Sequence, residues 1–285
     1  MFRNLLKYDM RAVWKIWRFV ALGMLIFSFA GAFVLRYITE NSEKIIYSGT
    51  LIMLLWMMIM LIIMAVLATS VITHVFVYLR FYKNFFTDEG YLTFTLPTSR
   101  KLLLRSKTVS ALIFTVMLFL LYAVSTVIFA LIVPASAEGE LINFAFFKGI
   151  GELFSAAWRE IGFWTVVFVF LGIVFALASA FYSVSVFHFC ITVGSMLVKK
   201  AKVLLSIGIY IGFGMASSTV STVARMIYFL TLNDGFLELT SDFTMNQDCI
   251  LAALIMLLIC AVTLTVSFVI HSLTRYFIER KLNLS

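Results

Sequence analysis

Six long apolar stretches constrain the fold of this chain more than any other feature of its sequence. The hydrocarbon core of a bilayer is about 30 Å thick, and an α-helix needs about 20 apolar residues to cross it. We therefore predict six transmembrane helices, at about residues 19–37, 50–79, 108–133, 163–198, 203–230 and 249–274. The fourth stretch is so long that its helix must tilt, kink or continue past the membrane surface. The predicted fold is an all-α, polytopic membrane protein.

The composition excludes a water-soluble protein. Hydrophobic residues make up 63% of the 285 residues and charged residues 13%, against about 45–50% and about 25% in soluble domains. The three cysteines have neither metal-ligand spacing nor the even count of a disulfide framework. No linker-like segment divides the chain, and we interpret residues 1–285 as a single transmembrane domain.

Lysine and arginine residues fall mainly on one side of the predicted membrane. Of the 22, we assign 17 to the two terminal segments and to the second-to-third and fourth-to-fifth connections. Short loops rich in Lys and Arg stay in the cytoplasm. We therefore expect a multi-pass protein of the plasma membrane with both termini in the cytoplasm. The bases in the cytoplasmic segments account for the net charge of +8, so this charge does not indicate nucleic acid as a partner.

Residues 1–18 form an amphipathic segment before the first predicted span. At 100° per residue its five basic side chains fall within an arc of about 120°, and they are Arg3, Lys7, Arg11, Lys15 and Arg18. The opposite side is apolar and includes Val13 and Trp17. This pattern predicts an interfacial helix with its bases toward lipid headgroups and its aromatics in the acyl boundary; contact with a soluble partner is the alternative. No A-x-A-like site follows the apolar run, so we expect the segment to be retained rather than cleaved.

The connection Arg80–Lys107 is too hydrophobic for a solvated loop. It alternates charges with large side chains, namely Phe81, Tyr82, Phe85, Phe86, Tyr91, Leu92, Phe94 and Leu96. Such a segment must pack on the membrane surface or in a protein groove. Gly90 can supply the positive φ of a turn, and Pro97 ends any helix before Thr98 or Ser99 caps the next one.

This connection resembles the cytoplasmic loop of type-2 ABC exporter permeases of the Gram-positive bacterial type. The matching residues are Asp88-Glu89-Gly90-Tyr91, Thr95-Leu96-Pro97-Thr98-Ser99-Arg100, Leu102–Leu104 and Ser106-Lys107. The tail from Leu273 to Leu284 also resembles the ending of such permeases. The six-span layout agrees with that family over essentially the whole chain.

The resemblance implies a permease subunit that works with a separate ABC ATPase subunit and with a second permease subunit, identical or paralogous. It implies that the loop contains a coupling helix seated on the ATPase, and we assign that contact to Arg80, Lys83, Phe86, Asp88, Glu89, Gly90 and Tyr91. The implied activity is outward transport of a hydrophobic or amphiphilic substrate. The chain itself is then no enzyme and needs no cofactor, since ATP and Mg²⁺ belong to the partner ATPase.

In related exporters the second and fifth spans line the substrate path. Carried to this sequence, the implied path residues are Trp56, Met57, Met60, Ser217, Ser218 and Arg225. From the residues alone, each group has an alternative. The methionines are equally typical of a lipid-facing stripe. The small residues are typical of helix packing, and Arg225 is equally typical of a side chain that reaches the outer headgroups.

Two further observations bear on the class of function. The sequence contains no G-x-x-x-x-G-K-[ST] motif, so ATP binding through a P-loop requires another chain. His74, His188 and His271 lie in three predicted spans, and we interpret them as packed or hydrogen-bonded side chains rather than metal ligands. A membrane scaffold or sensor without transport is the alternative function.

The outer connection Pro134–Gly162 is long, and its segment Leu141–Trp158 is amphipathic. We expect this segment to lie on the outer leaflet or to dip into it. Whether it caps an exit or is an interfacial helix without a gating role is open.

Overall fold

Apart from a few end residues, the described parts of the apolar stretches lie in long α-helices of a computed structural model. The structure describes residues 2–40, 49–87, 90, 99–133, 144–198, 201–227 and 245–280. These residues form seven helices, which are α1 (Phe2–Glu40), α2 (Gly49–Phe86), α3 (Arg100–Ile132), α4 (Ala145–Ile161), α5 (Trp164–Leu197), α6 (Lys202–Ile227) and α7 (Met245–Arg280). Within the described residues there is no β-strand. All helices except α4 contain a segment long and apolar enough to cross a membrane, which confirms the predicted all-α, six-span architecture.

Several helices extend beyond the apolar stretch that predicts them. Helix α3 begins at Arg100, eight residues before the predicted start of its span, and α7 continues to Arg280. Once a helix has formed, each added residue contributes a backbone hydrogen bond, so a helix does not end where the apolar residues end. Helix α5 is continuous over 34 residues, or about 50 Å, and therefore exceeds the thickness of a bilayer core.

Helix α1 differs from the prediction at its N-terminal end. Residues 2–18 are helical, but they continue into the first span without a break. The basic side chains are exposed, as expected for their arc. Val13 and Trp17, however, are 4% and 9% exposed, and the Trp17 ring lies 6.2 Å from that of Phe114. The expectation that Trp17 lies among lipid is therefore wrong, because this face of α1 packs against α3.

The described residues divide into two compact units. The first comprises Met1–Arg80 and Val109–Ser155, and the second comprises Phe81–Thr108 and Ala156–Ser285. In the first unit, Ala32 of α1 packs with Ile128 and Ile132 of α3. The Tyr122 hydroxyl of α3 donates a hydrogen bond of 2.9 Å to the Val66 carbonyl of α2. The interpretation of the whole chain as one domain stays a prediction.

In the second unit, α5 packs against both α6 and α7. Val186 and Cys190 of α5 form a core with Ile270 of α7. Near the end of α5 the two backbones of α5 and α6 approach so closely that a Cβ atom on Gly194 would lie 2.7 Å from the Cα of Ser206. Helix α6 begins five residues after the end of α5, directly after Ala201, which has a φ of 59°. The two helices are antiparallel neighbours.

Candidate functional site

The first part of the predicted coupling loop lies inside a cluster of aromatic rings in the second unit. We call this the aromatic cluster, and its members are Phe81, Tyr82, Phe85, Phe86 and His188. Phe81 is 1% and Phe85 0% exposed. The Phe81 ring stacks on the imidazole of His188 at 4.1 Å between centroids, with an interplanar angle of 22°. The centroids of the Phe81 and Phe85 rings are 5.0 Å apart. The last turns of α2 are therefore anchored against α5.

Phe86 belongs to this cluster, whereas Lys83 does not. Phe86 is 6% exposed, and its ring lies 6.2 Å from that of Tyr82. Lys83 is exposed. Of these two predicted coupling residues, only Lys83 therefore presents its side chain at the surface of the chain.

A hydrogen-bonded turn follows α2. The Thr87 hydroxyl donates to the Lys83 carbonyl at 2.6 Å, and the Gly90 N–H donates to the Thr87 carbonyl at 2.7 Å. Gly90 is buried, and a Cβ atom there would lie 3.0 Å from the carbonyl carbon and oxygen of Phe85. A side chain at position 90 would therefore require the backbone at Phe85 to shift by a few tenths of an ångström. Asp88, Glu89 and Tyr91, the other predicted coupling residues, lie outside the described residues.

The far end of the loop is tied to two helices. The Leu102 N–H donates to the Ser99 hydroxyl at 3.3 Å, so Ser99 caps α3, as the sequence predicted. Arg100 Nη1 donates to the backbone carbonyls of Ile278 and Glu279, at 3.0 and 3.2 Å. A guanidinium at this position matches the partial negative charge of a helix C-terminus. Sequence reasoning did not find this contact, since nothing in the sequence brings residue 100 to the end of α7.

Arg80 has an ion-pair partner within the chain, and its assignment to the ATPase contact stays a prediction. Its Nε atom lies 3.3 Å from Oδ1 of Asp9, and the Arg80 side chain is 33% exposed. Asp9 is 5% exposed. The sequence contained a signal for this pair, because Asp9 lies at the centre of the apolar face of α1, opposite the five bases. A carboxylate in such a place needs a cation or hydrogen-bond donors.

The described side chains of the predicted substrate path lie at the surface of the units that contain them. Trp56, Met57 and Met60 of α2 are 60%, 49% and 59% exposed. Ser217 and Ser218 of α6 are also exposed, and the Ser218 hydroxyl donates to the Met215 carbonyl of its own helix at 2.9 Å. The side chain of Arg225 lies outside the described part of the structure. The assignment of a path to these residues stays a prediction.

An open apolar groove of about 490 Å³ occurs in the first unit. Helices α1, α2 and α3 line it with Leu35, Ile62, Thr126, Phe129, Ala130 and Val133. None of the predicted path residues is among them.

The three histidines have different immediate neighbours. His74 is hydrogen bonded through Nδ1 to the Ser70 carbonyl at 2.8 Å. His188 is fully buried and has its Nδ1 atom 3.5 Å from the Thr108 hydroxyl. The His271 ring lies 6.0 Å from that of Phe181. Within the described ranges, no group of three or more His, Cys, Asp or Glu side chains is placed to hold a metal ion.

No protein-family model matches this chain, and no curated protein or solved structure is significantly similar to it.

Proposed function

We propose that this chain is the membrane-spanning permease subunit of an ABC exporter of the plasma membrane. In this proposal both termini are cytoplasmic, and a separate ABC ATPase binds the loop between α2 and α3 together with the helix ends that flank it, within Arg80–Lys107. A second permease subunit completes the assembly. The observation that carries the proposal is the resemblance of residues 88–107 to the coupling loop of type-2 ABC exporters. The six apolar helices and the distribution of basic residues are consistent with it.

The contacts at both ends of the loop support a role in transmitting force. A coupling segment can move the spans only if it is held rigidly by them. Before the loop, the aromatic cluster and the close approach of Gly90 to Phe85 hold the end of α2. After it, Ser99 caps α3 and Arg100 binds the end of α7. A displacement of the loop would therefore reach α2, α3 and α7 together.

Lys83 is the described coupling residue that suits direct contact with an ATPase. It is exposed, whereas Phe86 and Gly90 are buried in the second unit. In this proposal Phe86 and Gly90 therefore shape the loop, and Lys83 together with Arg80, Asp88, Glu89 and Tyr91 provides the contact. The energy comes from the partner, because the chain has no P-loop of its own.

The partner is tested first. The tagged chain is purified in mild detergent from cells that express the native operon, and bound proteins are identified by mass spectrometry. A stoichiometric P-loop ATPase is the expected result. A clean preparation without any ATPase contradicts the proposal and favours a membrane scaffold or sensor.

The loop is tested next, with the purified ATPase. We expect Glu89→Arg combined with Gly90→Pro to abolish permease-dependent stimulation of ATP hydrolysis while membrane insertion stays intact. Glu138→Arg is the matched control. It makes the same charge change in a connection that is predicted to lie on the opposite side of the membrane. Normal stimulation by the double variant contradicts the assignment of coupling to this loop.

A further inference from the structure

Helix α4 differs from the other described helices in length and hydropathy. It is 17 residues long, or about 25 Å, and it is not among the six helices that are long and apolar enough to cross a membrane. Its connection to α5 is short. Gly162 has a φ of +57°, a conformation that favours glycine, and its N–H donates to the Trp158 carbonyl at 3.0 Å. Helix α5 then begins at Trp164.

The side chains of α4 divide into two faces. At 100° per residue, seven apolar residues fall within about 140°, and these are Phe146, Phe147, Ile150, Leu153, Phe154, Trp158 and Ile161. The polar residues occupy about 140° on the other side, and these are Lys148, Glu152, Ser155, Arg159 and Glu160. The apolar face is not buried within the chain, since Phe147 and Ile150 are each 46% exposed and Leu153 is 73% exposed.

The start of α5 indicates where α4 lies with respect to the membrane. Trp164 Nε1 donates a hydrogen bond of 2.7 Å to Oδ1 of Asn246 in the first turn of α7. An indole paired with an amide at the ends of two spanning helices is typical of the membrane–water boundary, where Trp side chains are enriched. The last residue of α4 is three positions from Trp164. The chain therefore holds the C-terminal end of α4 close to that boundary.

We propose that α4 is an interfacial helix whose apolar face inserts between the headgroups and acyl chains of the leaflet at which α5 begins. Phospholipid, not another protein, covers Phe147, Ile150 and Leu153. The charge of α4 agrees with such a partner. Lys148 and Arg159 balance Glu152 and Glu160, so the helix carries no net charge. Its insertion is driven by apolar burial and needs no anionic lipid.

Two single-cysteine variants of the full chain test this proposal. Leu153→Cys places a label on the apolar face, and Ser155→Cys, 160° away around the helix and two residues further on, places one on the polar face. The native cysteines are replaced, and each variant carries an environment-sensitive fluorophore in phosphatidylcholine vesicles. Quenching is measured with a lipid that carries a nitroxide near its headgroup and with iodide in water.

The expected result is opposite behaviour at the two positions. The label at residue 153 should be quenched several-fold more by the lipid nitroxide than the label at residue 155, and iodide should show the reverse order. Addition of phosphatidylglycerol should leave both ratios unchanged. If Leu153→Cys does not fold, Ile150→Cys reports on the same face.

Three results overturn the proposal. Equal quenching by iodide at the two positions places the apolar face in water. No quenching of residue 153 by either agent means that protein covers it. Lipid quenching that appears only with phosphatidylglycerol makes charge, rather than apolar burial, the source of binding. None of these results depends on whether the chain is an ABC permease.

Discussion

Arg80 Nε of α2 lies 3.3 Å from Asp9 Oδ1 of α1, and this ion pair joins the amphipathic N-terminal segment to the helix that leads into the candidate coupling loop. Asp9 is almost completely buried, whereas a third of the Arg80 side chain is exposed. The pair therefore gives Arg80 a definite role inside the chain. It also explains why an acidic residue occurs on the otherwise apolar face of α1.

The first prediction concerns this pair. We expect Asp9→Ala to lower the free energy of unfolding by about 1–3 kcal/mol, because it removes a hydrogen-bonded partner of a partly buried charge. The measurement is the unfolding midpoint in detergent. Exchange of the two charges, with Asp9→Arg and Arg80→Asp together, should recover part of the loss.

Arg275→Ala is the control for the first prediction. It breaks the pair between Arg275 and Glu279, whose side chains are 41% and 35% exposed, and exposed pairs contribute about 0–1 kcal/mol. An Asp9→Ala loss no larger than that of this control would show that the buried pair adds nothing.

The second prediction concerns Arg100 and the end of α7. Its guanidinium donates to two terminal carbonyls, and a lysine keeps the charge but not the planar arrangement of donors. We expect Arg100→Ala to expose the end of α7 to chymotrypsin at Tyr276 and Phe277, and Arg100→Lys to have a smaller effect. Lys101→Ala, which removes the neighbouring charge, is the control. Equal cleavage rates in Arg100→Ala and Lys101→Ala would contradict the structural role of Arg100.

The third prediction concerns the close approach of α5 and α6. A Cβ atom on Gly194 would meet backbone atoms of Ser206 at 2.7 and 2.8 Å, so the two helices must move apart. We expect Gly194→Ala to lower the free energy of unfolding by about 1–3 kcal/mol. Gly172→Ala lies in the same helix with no other atom within 4 Å of the added Cβ, and it should be neutral or stabilising by up to about 1 kcal/mol. Equal midpoints in the two variants would show that the contact at Gly194 is not tight.

The fourth prediction concerns the aromatic cluster. Phe81 is 1% exposed and stacks on His188, so Phe81→Ala leaves a cavity and should cost about 3–5 kcal/mol. Phe119 is 56% exposed, and Phe119→Ala should change stability by no more than about 0.5 kcal/mol. Both are followed by thermal unfolding in detergent. If the proposed function is correct, Phe81→Leu, which keeps most of the volume, should retain more of the ATPase stimulation than Phe81→Ala.

Much of the local structure follows from individual residues. Thr98 or Ser99 after Pro97 predicted a cap for α3, and of the two the Ser99 hydroxyl accepts the Leu102 N–H. Gly90 predicted a turn with a positive φ. The Gly90 N–H closes a turn on the Thr87 carbonyl, but the φ of Gly90 does not lie in the positive range. The assignment of Asp88, Glu89 and Tyr91 to an ATPase contact stays a prediction.

Hydropathy and charge alone were sufficient to predict an all-α fold with six spanning helices, because a long apolar run is stable only in a bilayer or a large core and a helix satisfies its own backbone there. They were insufficient to predict which side of each helix packs on protein. Lipid tails are as apolar as leucine, so the two environments select the same residues. Trp17 against Phe114, Phe81 on His188, and Arg100 at the end of α7 therefore follow from tertiary packing, which brings together residues far apart in the chain.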